Sequence, residues 1–417
     1  MKKRMIAGIC LFLTASLLFS LSGCGTSAQA ADLMAGVKAD TVNADADLTG
    51  DDSNAIANFA VSLFQNSTSA TENTLVSPLS VLCALAMTAN GAKDDTLAQM
   101  ENMFGLSVPE LNDYLHTYLE NLPSSDKYKV SVADSIWFKD DESLTVKKNF
   151  LQTNADYYGA SIYKAAFDDA TLKDINAWVS DNTDKMIPNI LNDISEGAVM
   201  YLINAVAFDA EWETIYKETQ VQDGTFTTEA GKAQDAKMMY GTEHMYLDDG
   251  SATGFLKYYA DRKYAFAALL PNDGVPVSDY VASLTGEGLM NTLQNAQNVE
   301  VKTAIPKFES EYSVEMSDIL KAMGMTDAFD GTKADFTGLG SLDDGNIFIG
   351  RVLHKTYIAV DEKGTKAGAA TAVEMSGSSA PLEEPKTVYL DRPFVYMLID
   401  CETNLPIFIG TAMDISK

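Results

Sequence analysis

Cysteine, histidine and basic residues are all scarce in this chain, and each shortage closes off a class of function. Of four cysteines in 417 residues, Cys10 and Cys24 lie at the extreme N-terminus, leaving only Cys83 and Cys401 for a folded body. A disulfide-stapled scaffold is therefore excluded, and a chain this long buries enough surface to need none. Both remaining cysteines sit among apolar neighbours and read as small buried hydrophobes. The three histidines, His116, His244 and His354, fall in no HExxH or paired-ligand spacing, which argues against a zinc centre. No GxSxG elbow, GxxxxGKS/T loop or GxGxxG turn occurs either. The chain is read as a non-enzyme with no cofactor. Thirty Lys and Arg stand against 59 Asp and Glu, for a net charge of −29, or −32 without Lys2, Lys3 and Arg4. Nucleic acids and anionic membranes demand a basic patch, so neither is an expected partner, and no basic helix face suits heparin.

What is present begins with a leader. Lys2, Lys3 and Arg4 precede an apolar run from Met5 to Phe19, followed by Leu21-Ser22-Gly23-Cys24. A basic stretch, a short apolar stretch and small residues make an export signal over residues 1–23, too short to rank as a spanning helix. "LSGC" resembles a bacterial lipobox, in which Cys24 becomes lipidated. Ala28-Gln29-Ala30 is a second small-x-small site whose use would release a soluble protein; the lipobox is preferred because it abuts the apolar run. The expected location is the cell surface, as a lipoprotein, or the extracellular medium, with Cys24 the one membrane attachment. Residues 24–50 are rich in Ala, Asp, Gly and Thr and read as a flexible tether. Within them "DADLTGDD" hints at a calcium loop, but its closing acid would fall on Ile56, so the motif fails.

From Asp51 the pattern becomes dense. Helical periodicity or caps predict helices over 53–66, 77–92, 96–105, 147–158, 172–183 and 316–325. Strand patterns cover 129–138, 263–274, 298–309, 351–361, 393–400 and 405–412. The run "VMYLINAVAF" (199–208) reads as a strand covered on both faces. The first third is helix-rich and the remainder strand-rich, with no internal repeat, which predicts an α+β fold.

One segment carries two instructions. In "GTKAGAATAVEMSGSSAPLEEP" (364–385), Thr365, Ala367, Ala369, Thr371, Val373 and Met375 share one parity. Lys366, Gly368, Ala370, Ala372 and Glu374 share the other, so both charges would meet solvent if this were a strand. Yet no residue from 364 to 372 is large, and Gly364 and Gly368 weaken an independent strand. Beyond Met375 the chain reads as loop. The segment is compatible with a sheet without being committed to one.

Five ordered blocks around it resemble the serpin family over residues 51–417. They are "VSPLSVLCALAMTANGAKDDTLAQM" (76–100), "INAVAFDAEWE" (203–213), "IPKFESEYSVEMSDILKAMGMTDAFDGTKADFTGL" (305–339), "HKTYIAVDEKGTKAGAATA" (354–372) and "DRPFVYMLIDCETNLPIFIGTAMD" (391–414). The resemblance implies a monomer of three β-sheets and about nine helices with an exposed reactive-centre loop over about 362–391. It also implies a suicide substrate: a target serine protease cuts the loop and forms an acyl-enzyme, and the loop then inserts into the main sheet with the protease attached. Loop insertion is a switching mode for which serpins are a standing example.

Residue by residue, the resemblance assigns Glu362, Gly364, Thr365, Ala367, Gly368, Ala369 and Ala370 to the hinge. Ser77, Ser80, Asn204 and His354 form the "shutter" beneath the sheet's opening point, and Trp212 belongs with Glu362 in the "breach" where insertion starts. Asp134 stands where many members have Asn, and Lys363 where many have Glu. Small, uncharged hinge residues are those of inhibitory members. The family spacing from Glu362 puts the scissile bond at Ser378–Ser379, whereas counting back from Pro393 gives Leu382; Met375 is a third candidate, close to the hinge. No basic residue lies between Lys366 and Lys386, so proteases with acidic specificity pockets are poor targets. Small residues suit elastase-like or subtilisin-like enzymes. The rival expectation is a non-inhibitory serpin acting as a surface binding module.

Overall fold

Residues 30–195, 197–365 and 384–416 are described by a computed structural model. They hold nine α-helices and three sheets, of seven, nine and two strands, in the α+β arrangement expected. The seven-stranded sheet positions the site. Its order is Ala31–Asp32, Ser161–Ala165, Tyr128–Lys139, Met200–Glu211, Gly364–Thr365, Arg351–Val360 and Phe308–Glu315. Met200–Glu211 lies near the middle because its residues are apolar on both parities. Leu202, Val206 and Phe208 enter the main core, and Tyr201, Ile203 and Ala205 pack under the helix Asp169–Asn182 with Ile175 and Val179. Beneath the sheet the helix Pro78–Ala89 is buried along its whole length. Ser77 caps it and proline occupies its first turn, where no backbone donor is needed.

The sequence left several elements unassigned. The helix Val108–Asn121 carries a capping box between Ser107 and Glu110, a proline in its first turn and buried Val108, Leu111, Tyr114, Leu115 and Tyr118 at helical spacing. The strand Ala233–Asp248 buries alternate residues, but Gln234 and Ala236 are among them, which blurs its apolar pattern. Its hairpin partners Val221–Thr227 and Ala252–Tyr258, and the helices Val277–Ser283 and Gly286–Gln294, complete that region. The run expected as one strand over 298–309 is two strands in different sheets, Gln297–Pro306 and Phe308–Glu315, parted at Lys307.

The flexible tether expected over 24–50 is corrected for its described part. Ala31 and Asp32 add a strand to the sheet edge, paired with Lys164 and Tyr163. The Lys38 carbonyl accepts from Gln152 Nε2 at 2.8 Å, and Asp40 N donates to Asp156 Oδ1 at 2.8 Å. Leu33, Met34, Ala46 and Leu48 pack against the core. Such a strap escapes compositional reading because it uses backbone pairing and a few isolated apolar side chains. The leader over 1–23 and Cys24 lie outside the described residues, among which no helix is long and apolar enough to cross a membrane.

Candidate functional site at the seam of the main sheet

The strands Met200–Glu211 and Arg351–Val360 run parallel and pair directly from Tyr201 and Arg351 up to Ala207 and Tyr357. Above that point they part. Gly364 and Thr365 turn back between them, antiparallel to both, with Gly364 opposite Glu211 and Thr365 opposite Ala210 and Val360. The turn is closed by Asp361, whose Oδ1 accepts from Lys363 N at 2.7 Å and Gly364 N at 3.2 Å. Only glycine fits at 364, because a Cβ there would lie 2.0 Å from the Ala210 carbonyl oxygen. The loop expected as exposed therefore starts inside the sheet. Thr365 is fully buried, and its hydroxyl meets the Tyr259 hydroxyl at 2.6 Å.

Around this entry Trp212 and Glu362, the residues expected in the breach, converge. Trp212 stacks on Tyr259 with ring centroids 4.3 Å apart, and its indole N–H donates to the Asp361 carbonyl at 2.8 Å. Trp212 N donates to the Lys363 carbonyl and Tyr216 N to that of Glu362. The Glu362 carboxylate pairs with Lys307 at 2.5 Å, and that contact holds its carboxyl below the usual range. Lys257 lies 5.2 Å from the Trp212 ring centroid and 4.4 Å from that of Tyr216, paired to Glu243 at 2.9 Å. Burial pulls its pKa down, but Glu243 and Tyr216 outweigh burial and keep Lys257 charged.

Below the seam a polar row crosses three strands. Asp134 faces Asn204, and Asn204 faces His354, in register. Asn204 Nδ2 donates to Asp134 Oδ1 and Ser80 Oγ, and Ser80 Oγ–H donates to Asp134 Oδ1 at 3.0 Å. His354 Nε2 accepts from Ser77 N–H at 3.1 Å, so the ring proton sits on Nδ1 and is donated to Asn204 Oδ1. A second proton would point at a donor in a buried site, and burial lowers the His354 pKa to about 3. Burial also raises the Asp134 carboxyl to about 7, against the opposing hydrogen bonds from Asn204 and Ser80.

The structure thus brings together Ser77, Ser80, Asn204 and His354, and separately Trp212, Glu362, Gly364 and Thr365. The hinge residues Ala367, Gly368, Ala369 and Ala370 and the candidate bait residues Met375, Ser378, Ser379 and Leu382 lie outside the described residues. Tyr259 and Lys307 join the residues expected in the breach, and Asp134 joins the polar row of those expected in the shutter. No local motif announces Tyr259 or Lys307, because their partners Thr365 and Glu362 lie far along the chain.

The chain matches the family model described as Serpin (serine protease inhibitor) over residues 54–415. An uncharacterised serpin-like protein of Thermococcus kodakarensis is 29% identical, with 87% of this chain and 85% of the relative covered. The leukocyte elastase inhibitor of Xenopus tropicalis is 28% identical over 86% of this chain and 98% of its own length. Among solved structures, the thermophilic serpin tengpin in its native state is 47% identical with a TM-score of 0.88, covering 93% of this chain and all of that one. Tengpin in its latent state matches at 44% identity with a TM-score of 0.78, covering 90% of this chain and 100% of that one.

Proposed function

This chain belongs to the serpin family, and we propose that it is an irreversible suicide-substrate inhibitor of elastase- or subtilisin-like serine proteases. One observation carries the reading: Gly364 and Thr365 already occupy the seam in an antiparallel register that can be continued downward. In that register Ala367 would stand opposite Phe208 and Ile358, Ala369 opposite Val206 and Thr356, and Thr371 opposite Asn204 and His354. Insertion would part the Asn204–His354 bond and present a threonine hydroxyl to both. Lys366 would fall beside Asp209, and Glu374 beside Arg351. Each charge of the inserting segment would meet its opposite.

The register also changes one expectation. Alternation alone assigns the parity of Lys366 to solvent, but at the level of Tyr201, Ile203, Ala205 and Leu353 that face is covered by the helix Asp169–Asn182. Gly368, Ala370 and Ala372 would enter beneath this helix, so both parities must be small there. That requirement explains a stretch with no large side chain.

The bait is Ser378–Ser379, with Leu382 as the competing position, and the name of the Xenopus relative agrees with a shallow-pocket target. A gel-shift screen against elastase, subtilisin, chymotrypsin and trypsin should show an SDS-stable complex with the first two. Mass spectrometry of the released peptide should place the new N-terminus at Ser379; Glu383 would assign the Leu382 bond. Cleavage without any complex would instead identify a non-inhibitory binding module. The leader completes the proposal: export with Cys24 lipidated. Expressed in a bacterium, the protein should incorporate radiolabelled palmitate and lose it in a Cys24→Ala variant; an unlabelled wild-type chain would sink the anchor.

A further inference from the structure

Beside the shutter lies a cavity of about 300 Å³ that the inhibitory reading does not use. Its floor is the helix Pro78–Ala89, with Met87; Leu119, Tyr158 and Trp178 form walls, and Asp134 lines it. The rim is open to water, since Gly159 and Asn182 are exposed while Cys83 at the floor is buried. From this geometry we infer a binding site for a small organic cation, with an ammonium group paired to Asp134 and an apolar body against Met87, Leu119 and Trp178.

Three features point to that chemistry. The two hydrogen bonds that Asp134 accepts both fall on Oδ1, which leaves Oδ2 for the cavity. Among the described residues no cation compensates the carboxylate: its environment is partial burial plus the neutral donors Asn204 and Ser80. The groups facing it from the surrounding elements are Cys83 and Ser80 on the helix below, Tyr158 beside the cavity, Asn182 and Trp178 on the covering helix, and His354 beyond Asn204. Burial keeps Cys83 and Tyr158 protonated and His354 neutral, so none supplies a positive charge. A carboxylate held without a counter-ion gains most from a ligand that brings one into the same low-dielectric space. The aromatic walls favour a cation with an apolar body over a bare metal ion. An anion would be repelled and a neutral hydrocarbon would leave the carboxylate uncompensated.

The test uses benzylamine, which is cationic across the range examined, and benzyl alcohol as its neutral counterpart, at constant ionic strength. At pH 8 benzylamine at ten times its Kd should raise the Tm by about 2 °C, while benzyl alcohol should not. Because the ligand needs the ionised carboxyl, with a pKa of about 7, its affinity should fall about 30-fold between pH 8 and pH 5.5. An Asp134→Asn variant should lose the response, and the pH comparison on the unaltered protein serves if that variant fails to fold. No benzylamine shift at pH 8, an equal shift with benzyl alcohol, pH-independent affinity, or an undiminished response in Asp134→Asn would each overturn the site. None of these readouts depends on protease inhibition, so they stand or fall separately from the proposed function.

Discussion

A Thr365→Arg chain is expected to be cleaved by a target protease without retaining it as an SDS-stable complex. Thr365 already sits fully buried between Ala210 and Val360, its hydroxyl against Tyr259. An arginine there must either bury an unpaired guanidinium or hold the hinge out of the seam. Burying an uncompensated charge costs about 3 kcal/mol or more, and each 1.4 kcal/mol on a barrier slows a step about tenfold. Insertion would then be slowed about a hundredfold, and hydrolysis of the acyl-enzyme would release active protease first. The readout is the stoichiometry of inhibition together with the complex band on a denaturing gel. Thr365→Ser, which keeps the Tyr259 contact, should remain an inhibitor. A complex at wild-type yield with the arginine variant would remove the hinge from the mechanism.

The second large effect concerns pH. Burial raises the Asp134 carboxyl from 3.8 to about 7 in the folded chain. The folded state therefore holds a proton on Asp134 that the unfolded state releases between about pH 4 and pH 7, and this group's contribution to stability falls as pH rises through that window. The shift of about three units bounds the loss at about 4 kcal/mol above pH 7. Because Asp134 lines an accessible cavity, water there reduces the figure, and about 1–3 kcal/mol is expected. An Asp134→Asn variant keeps an oxygen to accept from Ser80 and Asn204 but carries no charge. Its denaturation midpoint should match the unaltered protein near pH 4 and exceed it at pH 8. Each protein's other carboxylates are shared, so the difference between the two pH profiles isolates this group. Parallel profiles would show that the carboxylate is solvated and its pKa ordinary. His354 works the other way: with its folded pKa lowered to about 3, the folded ring stays neutral where the unfolded ring is protonated, so its contribution rises with pH up to about 6.5 and, being common to both proteins, cancels in the difference.

Much of the site was legible before any coordinate. The alternation of 364–374 placed Thr365 on the inward parity, and the structure finds it buried. The apolar run at 199–208 announced a doubly covered strand, and Ser77-Pro78 announced the buried helix that supports the shutter. These readings succeed because they are local. Backbone geometry alone sends successive strand residues to opposite faces, and a cap or an N-terminal proline acts within one turn. The order of residues therefore determined which side chains each segment would offer to a core.

What those side chains would meet was decided only in three dimensions. Nothing near Thr365 names Tyr259, and nothing near Glu362 names Lys307. The row Asp134–Asn204–His354 exists because three strands far apart in the chain align in one register. The helix Asp169–Asn182 covers the face of the seam that alternation alone assigned to water. The strap at 31–48 holds to the body through backbone pairs and scattered apolar contacts that no period records. Periodicity reports which way a residue points from its own backbone, whereas a partner across a sheet depends on register and packing between distant segments. Asp134 shows the division most clearly: sequence made it a carboxylate where an amide is usual, and the fold made it a half-buried acid lining an open cavity, with no cation beside it among the described residues.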